Sequence, residues 1–263
     1  MPEGRPDAEN NAVELINPPG AGPALLLCEH ASSHIPARYD GLGLAAAARD
    51  SHAAWDPGAR AVALALSRAL DSPLVAGRVS RLVYDCNRPP EAESAMPEKS
   101  ELIAVPGNRA LTAQARAERV DTVYRPFCTA VSAAIAGRRA RRVPTALITI
   151  HSFTPVYFGR TRATEIGILH DTDSRLADAM LERAAELPQR RIARNEPYGP
   201  EDGVTHSLKL HGIANGLPNV MIEIRNDLVA TESAVAEMAA DLMTLIRPAL
   251  DALAAQGGQA AHA

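Results

Sequence analysis

Short apolar runs alternate along this chain with longer stretches whose apolar residues recur at helical spacing. Ala24–Cys28 (ALLLC) is apolar throughout and stops at Glu29-His30, the length and ending of a buried strand. Thr145–Ile150 (TALITI) and Asn219–Ile224 (NVMIEI) read the same way and are rich in β-branched residues. Pro73–Ala76, Arg81–Tyr84 and Thr164–Leu169 are further predicted strands. Helical spacing covers Ala59–Leu70, Leu111–Ala136, Ser174–Glu186, Thr205–Asn215 and Ser233–Ala254. Pro126 predicts a kink or a division in the second of these. Asp173 stands where a cap belongs for the third, and Gly216-Leu217-Pro218 ends the fourth. Strands separated by helices predict an α/β fold, a three-layer αβα sandwich on a mostly parallel mixed sheet.

Two stretches carry no such pattern. Residues 89–109, rich in Pro, Glu, Ser and Gly, predict a long surface loop, which in a compact domain is either functional or disordered. Asn195–Gly203 (NEPYGPEDG) is turn chemistry throughout. Residues 13–254 are expected to form one domain, with a flexible lead at 1–12 and a flexible tail at 255–263.

Composition narrows the function classes. With 46% hydrophobic residues in 263, there is material for one sizeable core. Lys and Arg number 27 against 31 Asp and Glu, which argues against a nucleic-acid binder. The cluster Arg138, Arg139, Arg141, Arg142 reads as the basic end of a helix. Cys28, Cys86 and Cys128 lack CxxC spacing and imply neither a disulfide framework nor a zinc knot. Met1–Asn11 lacks the layout of a signal peptide, and no apolar run is long enough to span a bilayer. A cytoplasmic protein, monomeric or a small homo-oligomer, is the expectation.

Polar groups stand where α/β sheets place their ligands, just beyond the carboxyl ends of strands. Glu29-His30 closes the first strand, His151-Ser152 closes TALITI, and Glu223 lies near the end of NVMIEI. Two histidines and a carboxylate suit zinc with an open position, where a water's pKa falls to about 7. A carboxylate outside the metal shell then serves as general base. Each residue also has a plainer use. The histidines can be hydrogen-bonded structural residues, Glu223 can pair with Arg225, and Asp50 and Asp56 can cap a helix. Ser152 lacks a G-x-S-x-G elbow, and Cys28 has no activating base beside it.

Several blocks together resemble the N-formylglutamate amidohydrolase family. They are Cys28–Pro36 (CEHASSHIP), Ala54–Ala59 (AWDPGA), Ser80–Pro90 (SRLVYDCNRPP), Ile103–Arg109 (IAVPGNR), Ile150–Pro155 (IHSFTP), Asn195–Tyr198 (NEPY), His211-Gly212 with Gly216-Leu217-Pro218, and Glu223-Ile224-Arg225. They follow the family's order from about residue 24 to 230. The resemblance implies hydrolysis of a small N-formyl or N-acyl amino acid such as N-formyl-L-glutamate, a step of histidine degradation. More distantly, Ile150–Phe153, Glu223–Arg225 and Asn87-Arg88 are similar to motifs of zinc carboxypeptidases, whose fold is then also expected.

That likeness implies one Zn2+ per chain, or another divalent metal, on His30 and His151, with Glu223 as general base. Carboxypeptidases take a ligand from His-x-x-Glu, but Ala31, Ser32 and Ser33 follow His30 here. The third ligand is assigned to Asp56, with Asp50 and Glu29 as alternatives. Strand alternation turns Glu29 away from the side His30 faces. Arg88 is expected to stabilise the oxyanion, and Asn87, Arg88 and Arg225 to hold the substrate carboxylate. Tyr198, His211 and Ser152 complete the expected substrate site. A carboxypeptidase, a broader N-acyl amino-acid deacylase, and a non-catalytic ligand-binding relative are the alternative functions.

Overall fold

A computed structural model describes residues 11–260. Residues 1–10 of the expected lead at 1–12, and 261–263 of the expected tail, lie outside the described residues.

Eleven strands occur among the described residues. They are β1 (Val13–Ile16), β2 (Ala24–Cys28), β3 (Leu74–Gly77), β4 (Lys99–Ser100), β5 (Ile103–Ala104), β6 (Ala146–Phe153), β7 (Val156–Tyr157), β8 (Arg160–Thr161), β9 (Ile166–Leu169), β10 (Ile192–Arg194) and β11 (Asn219–Arg225). Seven form one sheet in the order β1-β3-β2-β6-β11-β9-β10, while β4-β5 and β7-β8 are separate two-stranded ribbons. The pairs β3-β2, β2-β6, β6-β11 and β9-β10 are parallel, and β1-β3 and β9-β11 antiparallel. This is the expected mostly parallel mixed sheet.

The helices are α1 (Ala46–Arg49), α2 (Ala59–Leu70), α3 (Ala113–Arg119), α4 (Arg125–Ala140), α5 (Arg175–Leu181) and α6 (Glu232–Ala260). Strand alternation divides the core between the two faces of the sheet. Leu26, Ile148 and Ile222 meet Val62 and Leu66 of α2, Met180 of α5, and Leu242 and Leu245 of α6. Leu25, Leu27 and Leu147 meet Phe127, Val131 and Ile135 of α4 on the other face. Being covered on both faces, the central strands read as continuous apolar runs.

Several expectations need correction. Arg81–Tyr84 is a turn, although Leu82, Val83 and Tyr84 are all buried. The Ser80 carbonyl accepts from Val83 N, and the Ser80 hydroxyl from Leu82 N, so the segment's backbone groups go to a turn instead of a sheet neighbour. The long helix is divided as expected, with a π-turn at Val120–Tyr124 between α3 and α4. Pro126 lacks the N–H that a regular ladder needs just there. Residues 89–109 are more than surface loop. They carry β4 and β5 and bury Ala95, Met96, Val105 and Asn108, whose amide donates to the carbonyls of Leu82 and Pro97. Thr205–Asn215 is irregular, with a π-turn at Leu208–Gly212 and a 3-10 turn at Ile213–Asn215. The closing helix reaches Ala260, through residues expected as tail.

Candidate metal centre and pocket

Two central strands bring the first two groups together by register alone. Glu223 of β11 is paired with His151 of β6 in the parallel ladder, so both stand near the carboxyl end of the sheet on the α4 side. The chain leaves β2 at Cys28, and the His30 carbonyl accepts from Asp56 N, which clips the two segments together. Asp56-Pro57-Gly58 turns into α2 with Gly58 at φ +82°, and a Cβ there would run into Val229. The Ser152 hydroxyl donates to the Pro57 carbonyl (2.7 Å) and Ser152 N to Asp56 Oδ2 (3.3 Å). The turn is thereby fixed to the end of β6.

Three ligand-type atoms converge as a result. His30 Nδ1 lies 3.2 Å and His151 Nδ1 3.0 Å from Asp56 Oδ2, and the two nitrogens are 3.2 Å apart. All three side chains are buried. Bonds of about 2.0–2.1 Å to one tetrahedral ion place its ligand atoms roughly 3.3–3.4 Å apart. The triangle fits such an ion after displacements of a few tenths of an ångström.

Charge points the same way. Glu29, Asp56, Asp85 and Glu223 are all buried, and Arg81 is the guanidinium bonded to this group, through Asp56 Oδ1 (3.2 Å) and Asp85 Oδ2 (2.8 Å). Burial opposes ionisation of Asp56, but His30, His151 and Arg81 outweigh it and hold the carboxyl far below its usual range. Burial likewise opposes a proton on either imidazole, yet the carboxylates raise both histidine pKa values. A field that favours protons on both rings also favours a cation between them.

The outer nitrogens face carboxylates. His30 Nε2 is 2.7 Å from Asp85 Oδ1, a hydrogen bond. His151 Nε2 is 3.1 Å from Glu29 Oε2, at an angle that leaves neither atom a formed hydrogen bond. Glu29 thus lies beyond His151 from the triangle; β2 ends at Cys28 and Glu29-His30 is a turn, so strand alternation does not govern its direction. Asp50 is exposed at the end of α1 and outside the cluster.

Above the triangle is a cavity of about 170 Å³. Glu223 lines it with Oε2 unpartnered, and burial above all, helped by the charge of Asp56, pushes its pKa up to about 7. Arg88, Ser152 and Tyr198 line it, and so do Arg81 and Tyr157. Asn87 lines it too, but its side-chain amide donates to the Val204 carbonyl and its oxygen accepts from Ser207 N. Those bonds anchor the 204–207 segment. Arg162 stacks on the rings of Tyr157 (4.4 Å) and Tyr198 (4.8 Å), joining the β7-β8 ribbon to the 195–203 turn. Glu101 joins the β4-β5 ribbon to this rim by accepting from Phe158 N at 2.9 Å.

Arg225 and His211 do not line the cavity. Arg225 is bound by Asp227 (2.8 Å) and faces Glu165 (3.6 Å), which also removes the plain reading of Glu223 as its partner. His211 is buried, and burial lowers its pKa to about 4. Conversely, Arg81 and Asp85 were missed as site residues. The signal available was their spacing of four within the quoted block Ser80–Pro90, masked by its apolar look.

Fold and site define a class: an α/β protein with a buried His-Asp-His cluster under a carboxylate-bearing pocket at the ends of its central strands. Within that class, residues 22–230 match the family N-formylglutamate amidohydrolase, and the chain belongs to this family. A gene product of Agrobacterium tumefaciens is similar in structure at 55% identity and a TM-score of 0.91, over 94% of this chain and 97% of that one. N-formylglutamate amidohydrolase from Ralstonia eutropha JMP134 has a TM-score of 0.65 at 22% identity, over 91% and 97%, a likeness of fold. No curated protein matches the sequence.

Proposed function

We propose that the protein hydrolyses the amide bond of a small N-acyl amino acid, with N-formyl-L-glutamate as the leading substrate, using a divalent cation held by His30, Asp56 and His151. The supporting observation is the triangle of ligand atoms at 3.0–3.2 Å under a pocket that also holds Glu223. These three residues would hold a zinc ion, which would supply a water acidified to about neutrality and Lewis acidity toward the acyl carbonyl.

The chain's own residues carry the rest. Glu223 accepts the proton of the attacking water and returns it to the departing amine nitrogen. A carboxyl with a pKa near 7 is suited to both transfers. Arg88 lies in the pocket, and its guanidinium donates to the Asn87 carbonyl through Nη1, which leaves the rest of its fork to bind a substrate carboxylate. Tyr157 and Tyr198 line the cavity and offer ring surface to the substrate.

The test is formate release from a panel of N-formyl and larger N-acyl amino acids, together with metal analysis. Chelation should abolish turnover and zinc restore it. Full turnover by metal-free protein would remove the proposal. Within that panel, Arg88→Met should lower kcat/KM by about 10- to 100-fold, mostly through KM, since charged hydrogen bonds contribute about 1.5–3 kcal/mol. An unchanged KM would take Arg88 off the substrate.

A further inference from the structure

Around the ligand triangle runs a closed ring of four side chains. Asp85 Oδ1 accepts from His30 Nε2 (2.7 Å), and Asp85 Oδ2 accepts from Arg81 Nη2 (2.8 Å). Arg81 Nη1 donates to Asp56 Oδ1 (3.2 Å), and Asp56 Oδ2 faces His30 Nδ1 (3.2 Å). Asp85 is itself fixed, because its Oδ1 also accepts from Asn87 N (2.9 Å) and its own N donates to the Ala95 carbonyl (2.8 Å).

Each link decides the direction of a lone pair. An ionised carboxylate only accepts, so with a cation in the triangle Asp85 would keep the His30 proton on Nε2 and leave the Nδ1 lone pair for the ion. Asp56 has two equivalent oxygens, and either one or both can bind a cation. Arg81 occupies Oδ1, which leaves Oδ2 alone toward His30 and His151. Two-oxygen binding by Asp56 would use a position on the ion that a water or substrate needs.

We propose that Asp85, acting through His30, and Arg81, acting through Asp56, are positioning residues. Asp85 sets the site's affinity for a divalent cation, and Arg81 keeps Asp56 on it by a single oxygen. Neither supplies an atom to the metal or to the bond that breaks. This rests on the metal reading given above, and the experiment separates the two.

The experiment uses the full chain, stripped of metal, and reads zinc affinity by competition with a chromophoric chelator. A second readout is the visible absorption of bound Co2+, stronger per ion in four-coordinate than in six-coordinate sites. Asp85→Asn keeps size and fold, and should weaken zinc binding by about 10- to 100-fold, the usual cost of losing an outer partner of a metal-bound histidine. Arg81→Met should leave zinc bound at least as tightly, because a positive charge beside the ion is gone, yet lower the Co2+ absorption as Asp56 swings onto the ion with both oxygens. Arg81→Lys should restore only part of that absorption, because a single ammonium does not span two carboxylates as a guanidinium does. Melting curves of the metal-free variants report folding separately. Variants that melt earlier yet keep the parent's zinc affinity in Asp85→Asn and its Co2+ absorption in Arg81→Met would overturn the proposal and leave the metal reading standing. A parent that binds neither ion would overturn both.

Discussion

Replacing Glu223 by Gln is expected to lower kcat by roughly 10²- to 10⁴-fold, the range of a general acid–base group, with bound zinc and KM close to the parent's. Gln has the size of Glu and accepts no proton at neutral pH. Glu223 is well placed for the role: it is buried, lines the cavity, and has Oε2 unpartnered. Its competing role, a strand-end ion pair with Arg225, is excluded because Arg225 is taken by Asp227 and Glu165. The pH profile carries the same signature. The base form is lost as pH falls through the folded pKa, about 7 in the metal-free protein and lower beside a bound cation. The parent's rate should therefore drop on the acid side at or below pH 7, and this limb should be absent from the residual activity of Glu223→Gln.

Stability supplies an independent check with a definite sign. The folded pKa of Glu223 lies above the ordinary carboxyl value, so ionisation favours the unfolded chain as pH rises between the two. Metal-free Glu223→Gln should then melt higher than the metal-free parent, with the gap growing up to about pH 7. A variant that keeps zinc and turns over N-formyl amino acids at the parent rate would remove Glu223 from the mechanism.

Asp56→Ala is expected to reduce bound zinc from one per chain to nearly none after dialysis, and to abolish formate release. The loss should exceed the roughly 10- to 100-fold typical of an outer partner, because a ligand atom itself is gone. Asp56 Oδ2 is the atom that both Nδ1 nitrogens approach, at 3.2 and 3.0 Å. Arg81 keeps Asp85 as a partner in the variant, so its charge is not stranded. Two controls make the result specific. Asp50→Ala, at an exposed residue, should leave zinc and turnover unchanged. Glu29→Gln should keep zinc near one per chain, since Glu29 lies beyond His151 from the triangle. Zinc lost from Glu29→Gln but kept by Asp56→Ala would reverse the ligand assignment.

Much of this architecture can be read from the sequence because it rests on short-range pattern. β2 and α2 occupy the residues their patterns predict, and β6 and β11 differ only at their ends. A central strand covered on both faces must be apolar throughout, and a helix against it must repeat its apolar face. The same logic exposes His30, His151 and Glu223, since a polar residue interrupting such a strand near its carboxyl end stands out. β1 and β10 were not legible. They have four and three residues, and their place at the sheet edges comes from pairing with β3 and β9.

What only the tertiary structure decided is which polar groups meet. Asp85 is 55 residues from His30, and Asp56 is 95 from His151, so no local pattern encodes either contact. Arg81 and Asp85 reach the site because Ser80 folds an apolar-looking segment into a turn, and a strand there would have directed alternate side chains to opposite faces. Arg225 has the residue type for a substrate anchor, but Asp227 and Glu165 neutralise it first. Local pattern determined the strands, the helix between them and the polar residues at the strand ends, because neighbours along the chain set periodicity. The ligand triangle, its ring of carboxylates and guanidinium, and the exclusion of Arg225 and His211 were decided by distance in space, because charges act on whatever folding brings within a few ångströms.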